Sequence, residues 1–259
     1  MSLQILVAIL LGTLGLAMGS GVTALAWRVP RERSWVLGRS ACPACGTPLG
    51  ARDLVPVLSF VLARGRCHHC GARIAWRYPV TELVCAAWAL LLYRHTGLAP
   101  AYPFLALWGF LLVALMWIDL DFQLLPDALT FPGTLLALGA ALLSPGGAHR
   151  ALLGVLAGSG TLWTLAWVWL RVRKIEGMGG GDIKLAAMLG VVLGWQLTLL
   201  TLLLAALAGT LWGGLLMARG KGHGKTALPF GTLLAPAALV SLLWGGGWIA
   251  AYLSFITGR

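Results

Sequence analysis

The chain has 259 residues, of which 59% are hydrophobic and only 10% charged, with a mean hydropathy of +0.87. A water-soluble domain is about 45–50% apolar and about 25% charged, so these proportions exclude a soluble enzyme, a disordered chain and a disulfide-stapled mini-protein. They point to an all-α polytopic membrane protein, the architecture that pairs every backbone amide within its own helix. The net charge of +11 would suit a nucleic-acid partner, but the cations gather at the ends of apolar runs and in one loop. A lipid bilayer accounts for them, and no nucleic acid is expected.

Eight apolar runs are predicted to cross a hydrocarbon core of about 30 Å: roughly 3–26, 79–96, 101–118, 128–145, 151–170, 185–198, 199–217 and 232–256. Gly190 and Gly194, followed by Trp195 and Gln196, are the markers for a turn between the sixth and the seventh. Ala24-Leu25-Ala26 at the end of the first run has the look of a signal-peptide cleavage site. A signal peptide carries its positive charge before the apolar run, however; here it follows, so the first run is read as a retained span. With eight spans, the segment 27–78 and the loops at 171–184 and 218–227 fall on one side with sixteen basic residues, against three on the other. The excess makes that side cytoplasmic and puts both termini outside.

The loop between the first two spans holds Cys42-Pro43-Ala44-Cys45 and Cys67-His68-His69-Cys70, two CxxC pairs 21 residues apart, each followed by a glycine, Gly46 and Gly71. This is zinc-ribbon spacing, in which two knuckles close a tetrahedral thiolate site. The glycines let the backbone turn so that amides face the sulfurs. Two disulfides are the alternative, disfavoured on a reducing side, and a redox CxxC would want a βαβ setting. Four cysteines fill the coordination shell of a zinc ion, so Cys42, Cys45, Cys67 and Cys70 are expected to form a structural site. Cys85, inside the second span, reads as packing.

Only eight acids occur: Glu32, Asp53, Glu82, Asp119, Asp121, Asp127, Glu176 and Asp182. In the predicted topology all lie on the cytoplasmic side or at the cytoplasmic ends of spans, where an ionisable group is a functional candidate. Asp119 ends the run Leu111–Ile118, and Asp182 closes Gly177-Met178-Gly179-Gly180-Gly181-Asp182-Ile183-Lys184. Two carboxylates meeting at a membrane face can share a proton. One then serves as base toward water and the other as acid toward the carbonyl or leaving amine. Simpler readings stand beside this one: Asp182 as a helix N-cap, the glycine run as a linker or a phosphate loop without the rest of a P-loop, Asp119 as an interfacial stop.

Taken together the motifs resemble those of bacterial type IV prepilin peptidases, a family of GxGD aspartyl proteases. Gly19-Ser20 with Arg28-Val29-Pro30 is similar to the family's opening stretch, and the paired CxxC knuckles to its cytoplasmic loop. Arg77-Tyr78-Pro79-Val80-Thr81-Glu82-Leu83 resembles RYPxxEL, Asp119 through Asp127 resembles DxxxxLLPD, and Gly177 through Lys184 resembles GMGxGDxK. Pro229-Phe230-Gly231 is similar to a late PFGP. Three positions depart from the pattern: Thr23 and Trp27 stand where the family has Asn and His, and Thr232 stands where PFGP ends in Pro.

The resemblance implies that Asp119 and Asp182 are catalytic, in a core spanning 79–259 that follows a first membrane helix (1–26) and a zinc loop (27–78). It implies an inner-membrane enzyme that removes the basic leader of prepilins and pseudopilins at the cytoplasmic face. The same enzymes N-methylate the new terminus with S-adenosylmethionine; the alternatives are a peptidase lacking that second activity, or a cation transporter. A basic leader approaching a chain of +11 needs local acids to hold it. Glu82, Asp121, Asp127 and Glu176, with Gly179, Gly181 and Lys184 beside them, are the expected substrate contacts.

Overall fold

A computed structural model describes residues 2–34, 38–144, 146–174, 179–220 and 228–258. The helices are α1 (Leu3–Arg28), α2 (Leu58–Leu62), α3 (Arg77–Thr96), α4 (Tyr102–Phe122), α5 (Asp127–Leu142), α6 (Gly147–Arg173), α7 (Gly180–Ala218), α8 (Phe230–Val240) and α9 (Gly246–Thr257). A π-helical turn, Ser241–Gly245, joins the last two. Among the described residues, strand pairing is confined to two isolated bridges, Ala41 with Pro48 and Arg66 with Arg73.

Among the described residues, five helical stretches are long and apolar enough to cross a membrane: Leu3–Arg31, Tyr102–Phe122, Gly147–Arg173, Gly180–Ala218 and Phe230–Thr257. The fold is all-α and polytopic, as the composition requires. The eight predicted spans do not translate into eight such helices: α5 is shorter, and α3 carries Arg77, Glu82 and Arg94 along its length.

The chain forms two compact units. One comprises Met1–Leu98 with Gly109–Ala114, the other Ala99–Trp108 with Leu115–Arg259. In the first, α1 lies along α3 through Gly15 and Gly19, whose missing side chains bring the α3 backbone at Ala86 and Glu82 against α1. Small residues four apart are the usual device for close helix approach where lipid removes the hydrophobic drive. At the end of α1, Arg31 and Arg33 lie over the Trp27 ring at 4.8 and 5.0 Å, a cation–π pairing suited to an interface.

The second unit repeats the device. Gly154 and Gly158 of α6 face Gly190 and Ala186 of α7, backbone against backbone. This seam also locates the turn in α7. The Ala186 carbonyl and the Thr198 methyl both fall within 3 Å of the point that a Cβ on Gly158 would occupy, yet a straight helix would hold residues 186 and 198 about 18 Å apart. The chain therefore reverses at Gly194, whose φ of 70° and ψ of 175° are non-helical and favour glycine. The boundary predicted between 198 and 199 thus moves to 194, one of the glycines marked in the sequence. At the C-terminal end of α6, Arg171 sits over Trp167 at 4.7 Å and Arg173 over Trp169 at 5.4 Å.

Candidate active site and metal centre

In the first unit the two cysteine knuckles have the same hydrogen bonds. Cys42 N–H donates to the Thr47 carbonyl and Gly46 N–H to that of Cys42; Cys67 N–H donates to Ala72 and Gly71 N–H to Cys67. Gly46 and Gly71 adopt φ of 71° and 72°, the turn expected of them. The four sulfurs lie within 4.8 Å of one another, with Cys42 and Cys70 Sγ 3.9 Å apart. Tetrahedral thiolates at about 2.3 Å from a metal would be about 3.8 Å apart, so the cluster could hold a metal ion. The Thr47 hydroxyl and backbone N–H hold the Cys45 thiol down at about 6. The backbone N–H groups of Cys70 and His69 lower that of Cys67. Both effects favour the thiolate that a metal requires. His68 and His69 contribute no atom to the cluster; His68 Nε2 lies 4.0 Å from Asp53 Oδ1.

Glu82, expected among the substrate contacts, belongs structurally to this unit. It is buried, and its Oε2 accepts a 2.7 Å hydrogen bond from Val57 N–H. Val57 has φ of 60°, a left-handed backbone costly for a β-branched residue, and the carboxylate holds that turn in place.

In the second unit, a cavity of about 430 Å³ collects Asp119 and Gln123 from the end of α4, Asp127 from the head of α5, and Gly179 to Asp182 with Lys184 from the head of α7. The local sequence explains the convergence. α4 ends at Gln123, which takes a left-handed φ of 51° and returns its N–H to the Asp119 carbonyl. Pro126 prevents helix from resuming through Leu124–Leu125, and α5 restarts at Asp127, an acid suited to a helix N-terminus. Leu125, 8% exposed, packs beneath the site against Gly181 and Gly231, at each of which a Cβ would press on it at 3.0–3.1 Å.

Asp119 is buried and Asp182 half-buried, and both line this cavity. Asp119 Oδ2 accepts two hydrogen bonds from Thr232, from N–H at 2.6 Å and from Oγ1 at 3.0 Å. Lys184 Nζ bridges both carboxylate oxygens of Asp127, at 2.7 and 2.9 Å, tying the heads of α5 and α7. Of the predicted site residues, the cavity thus joins Asp119, Asp127, Gly179, Gly181, Asp182 and Lys184. Asp121 is exposed and does not line it. Glu176 lies outside the described residues. The sequence reading missed Thr232 and Gln123 as site members; the adjoining Pro229-Phe230-Gly231 was the signal for the first, but Thr232 registered only as a departure from pattern.

Residues 13–96 match the bacterial peptidase A24 N-terminal domain, and residues 104–214 match the type IV leader peptidase family. A Stutzerimonas stutzeri protein named prepilin leader peptidase/N-methyltransferase is 36% identical over 270 residues, covering 93% of this chain and 92% of that protein. Proteins of the same name from Pseudomonas putida and Aeromonas hydrophila are 38% identical (90% of this chain, 88% of the relative) and 42% identical (83% and 75%). No solved structure matches the chain.

Proposed function

The chain belongs to the type IV leader peptidase family, and from that premise we propose that it is a membrane aspartyl endopeptidase acting on prepilins and pseudopilins through Asp119 and Asp182. The observation that carries this reading is that the two carboxylates share one cavity, with Asp119 buried and the glycine segment 179–181 beside them. One carboxylate takes a proton from water as the water attacks the scissile carbonyl, and the other protonates the carbonyl oxygen. Side-chain-free backbone at Gly179 and Gly180 gives an extended peptide room to approach. Cleavage is placed at the cytoplasmic face of the inner membrane, with the termini outside. The core is assigned to 79–259, behind the helix 1–26 and the loop 27–78.

Cys42, Cys45, Cys67 and Cys70 are assigned to a structural zinc ion, which would supply folding free energy to the loop and take no part in the chemistry. Methylation of the newly exposed amine follows from the names of the relatives, and S-adenosylmethionine is the donor it implies. The glycine-rich turn after a strand common in donor sites has no counterpart among the described residues, so none is assigned to it. Asp127, with Lys184 across it, and Asp121, Glu176 and Glu82 are assigned to the basic leader.

Co-expression with a tagged prepilin tests the reading. A mobility shift that disappears in Asp119→Asn and in Asp182→Asn is expected; normal processing by either variant removes the aspartyl mechanism. A mass spectrum of the pilin N-terminus separates cleavage alone from cleavage with methylation.

A further inference from the structure

Asp119 is held from a distance. Thr232 is the third residue of α8, so its N–H is one of the first-turn donors without a partner inside the helix. The Asp119 carboxylate takes it, as an anion takes a helix N-terminus, and the Thr232 hydroxyl donates to the same Oδ2. The hydroxyl also lies 3.3 Å from the Met116 carbonyl in the preceding turn of α4, which seats the side chain against that helix. Both residues are buried, Thr232 at 7% and Asp119 at 4% exposure. Gly231 makes the approach feasible, because a Cβ there would meet Asp119 Cγ and Oδ2 at 3.1 Å. A proline at this position could offer neither donor.

We propose that Thr232 is a positioning residue that fixes the roles of the two Asp119 oxygens. An oxygen accepting two hydrogen bonds is not the one that carries a proton. Oδ1, which accepts no hydrogen bond among the described residues, is therefore the oxygen that exchanges protons during hydrolysis. Water loses a proton to Oδ1 as its oxygen bonds to the carbonyl carbon, while the proton on Asp182 passes to the carbonyl oxygen. When the C–N bond breaks, the Oδ1 proton goes to the leaving amine and a hydroxyl proton of the intermediate returns to Asp182. Both carboxylates end as they began. The titratable groups around the same cavity are Asp182 and Lys184 on α7 and Asp127 on α5; Lys184 is engaged with Asp127.

The inference rests on the acid–base reading of Asp119, and the test separates the two. Full-length protein carrying Thr232→Val keeps the N–H and the shape but loses the hydroxyl. Its kcat on a tagged prepilin is expected to fall about tenfold, equivalent to about 1.4 kcal/mol, with KM within about twofold, since the loss concerns the reacting carboxylate and not the peptide. Thr232→Ser is expected to restore kcat to within about twofold. Thr232→Ala, which adds no atom, gives the same test should the valine variant not accumulate. A hydroxyl-free variant with unchanged kcat, or a serine variant as slow as the valine one, overturns the role of Thr232 while Asp119→Asn remains inactive. Cleavage by Asp119→Asn would instead overturn the acid–base reading on which it rests.

Discussion

Cys67 and its partner thiols are held by turns that close within six residues, whereas Asp119 is held by a residue 113 positions away. Each cysteine knuckle builds half of its site from its own backbone, and the second repeats the hydrogen bonds of the first. The carboxylate cavity has no such local unit: it exists only where α4, α5, α7 and α8 converge. A self-contained site fails through its own ligands and can be lost while the helices remain. A convergent site depends on every helix end that enters it, and its parts are dispensable in proportion to their distance from the reacting carboxylates.

The strongest way to sharpen that contrast is at the carboxylates. Asp119→Asn and Asp182→Asn are each expected to lower kcat by about 10²–10⁴, the usual range for acid–base groups, with metal content unaltered when assayed on the same preparations. Loss of metal in either variant would break the separation between the two sites. Next in size is the thiol cluster. Purified protein is expected to carry one zinc per chain, and Cys67→Ser or chelation to expose 27–78 to proteolysis, because structural zinc contributes folding free energy. Protein purified without chelators and found free of zinc counts against the assignment.

Glu82→Gln follows, weakening a buried charge-assisted hydrogen bond to Val57 at a cost of about 1–3 kcal/mol, visible as a lower unfolding temperature. If Glu82 contacts the leader, this variant will raise KM for a basic leader and not for a neutral one; equal KM values return it to the turn at Val57. Lys184→Gln removes an exposed ion pair and is expected to cost under about 1 kcal/mol of stability. The smallest effect on kcat is expected at Asp121→Asn, exposed and off the cavity, within about twofold of the parent, with the loss confined to KM for a basic leader.

The same contrast explains what could be read before the fold was known. The thiol cluster was legible because its geometry is a consequence of spacing, down to the two glycines. The carboxylates were legible as motifs, since each of Asp119, Asp127 and Asp182 ends or begins an apolar run. Their common cavity was not, because no spacing along the chain encodes which helix ends meet. The bond from Thr232 to Asp119 was illegible for the same reason, and that from Val57 to Glu82 because a backbone N–H leaves no trace in composition. The turn in α7 was marked by Gly190, Gly194, Trp195 and Gln196 but placed a few residues late, since those markers span several positions and do not single out the glycine that takes the non-helical φ.

The reversal at Gly194 has a consequence for the lipid around the enzyme. The leg that carries Asp182, residues 180–193, rises only about 21 Å at 1.5 Å per residue, against a hydrocarbon layer of about 30 Å. A rod that short does not reach from one headgroup plane to the other, and Leu185, Ala186, Met188, Leu189, Val191 and Leu193 along it are buried, so neighbouring helices rather than lipid face most of its length. Cleavage is accordingly expected to depend only weakly on acyl-chain length, which assay in vesicles of differing thickness would measure.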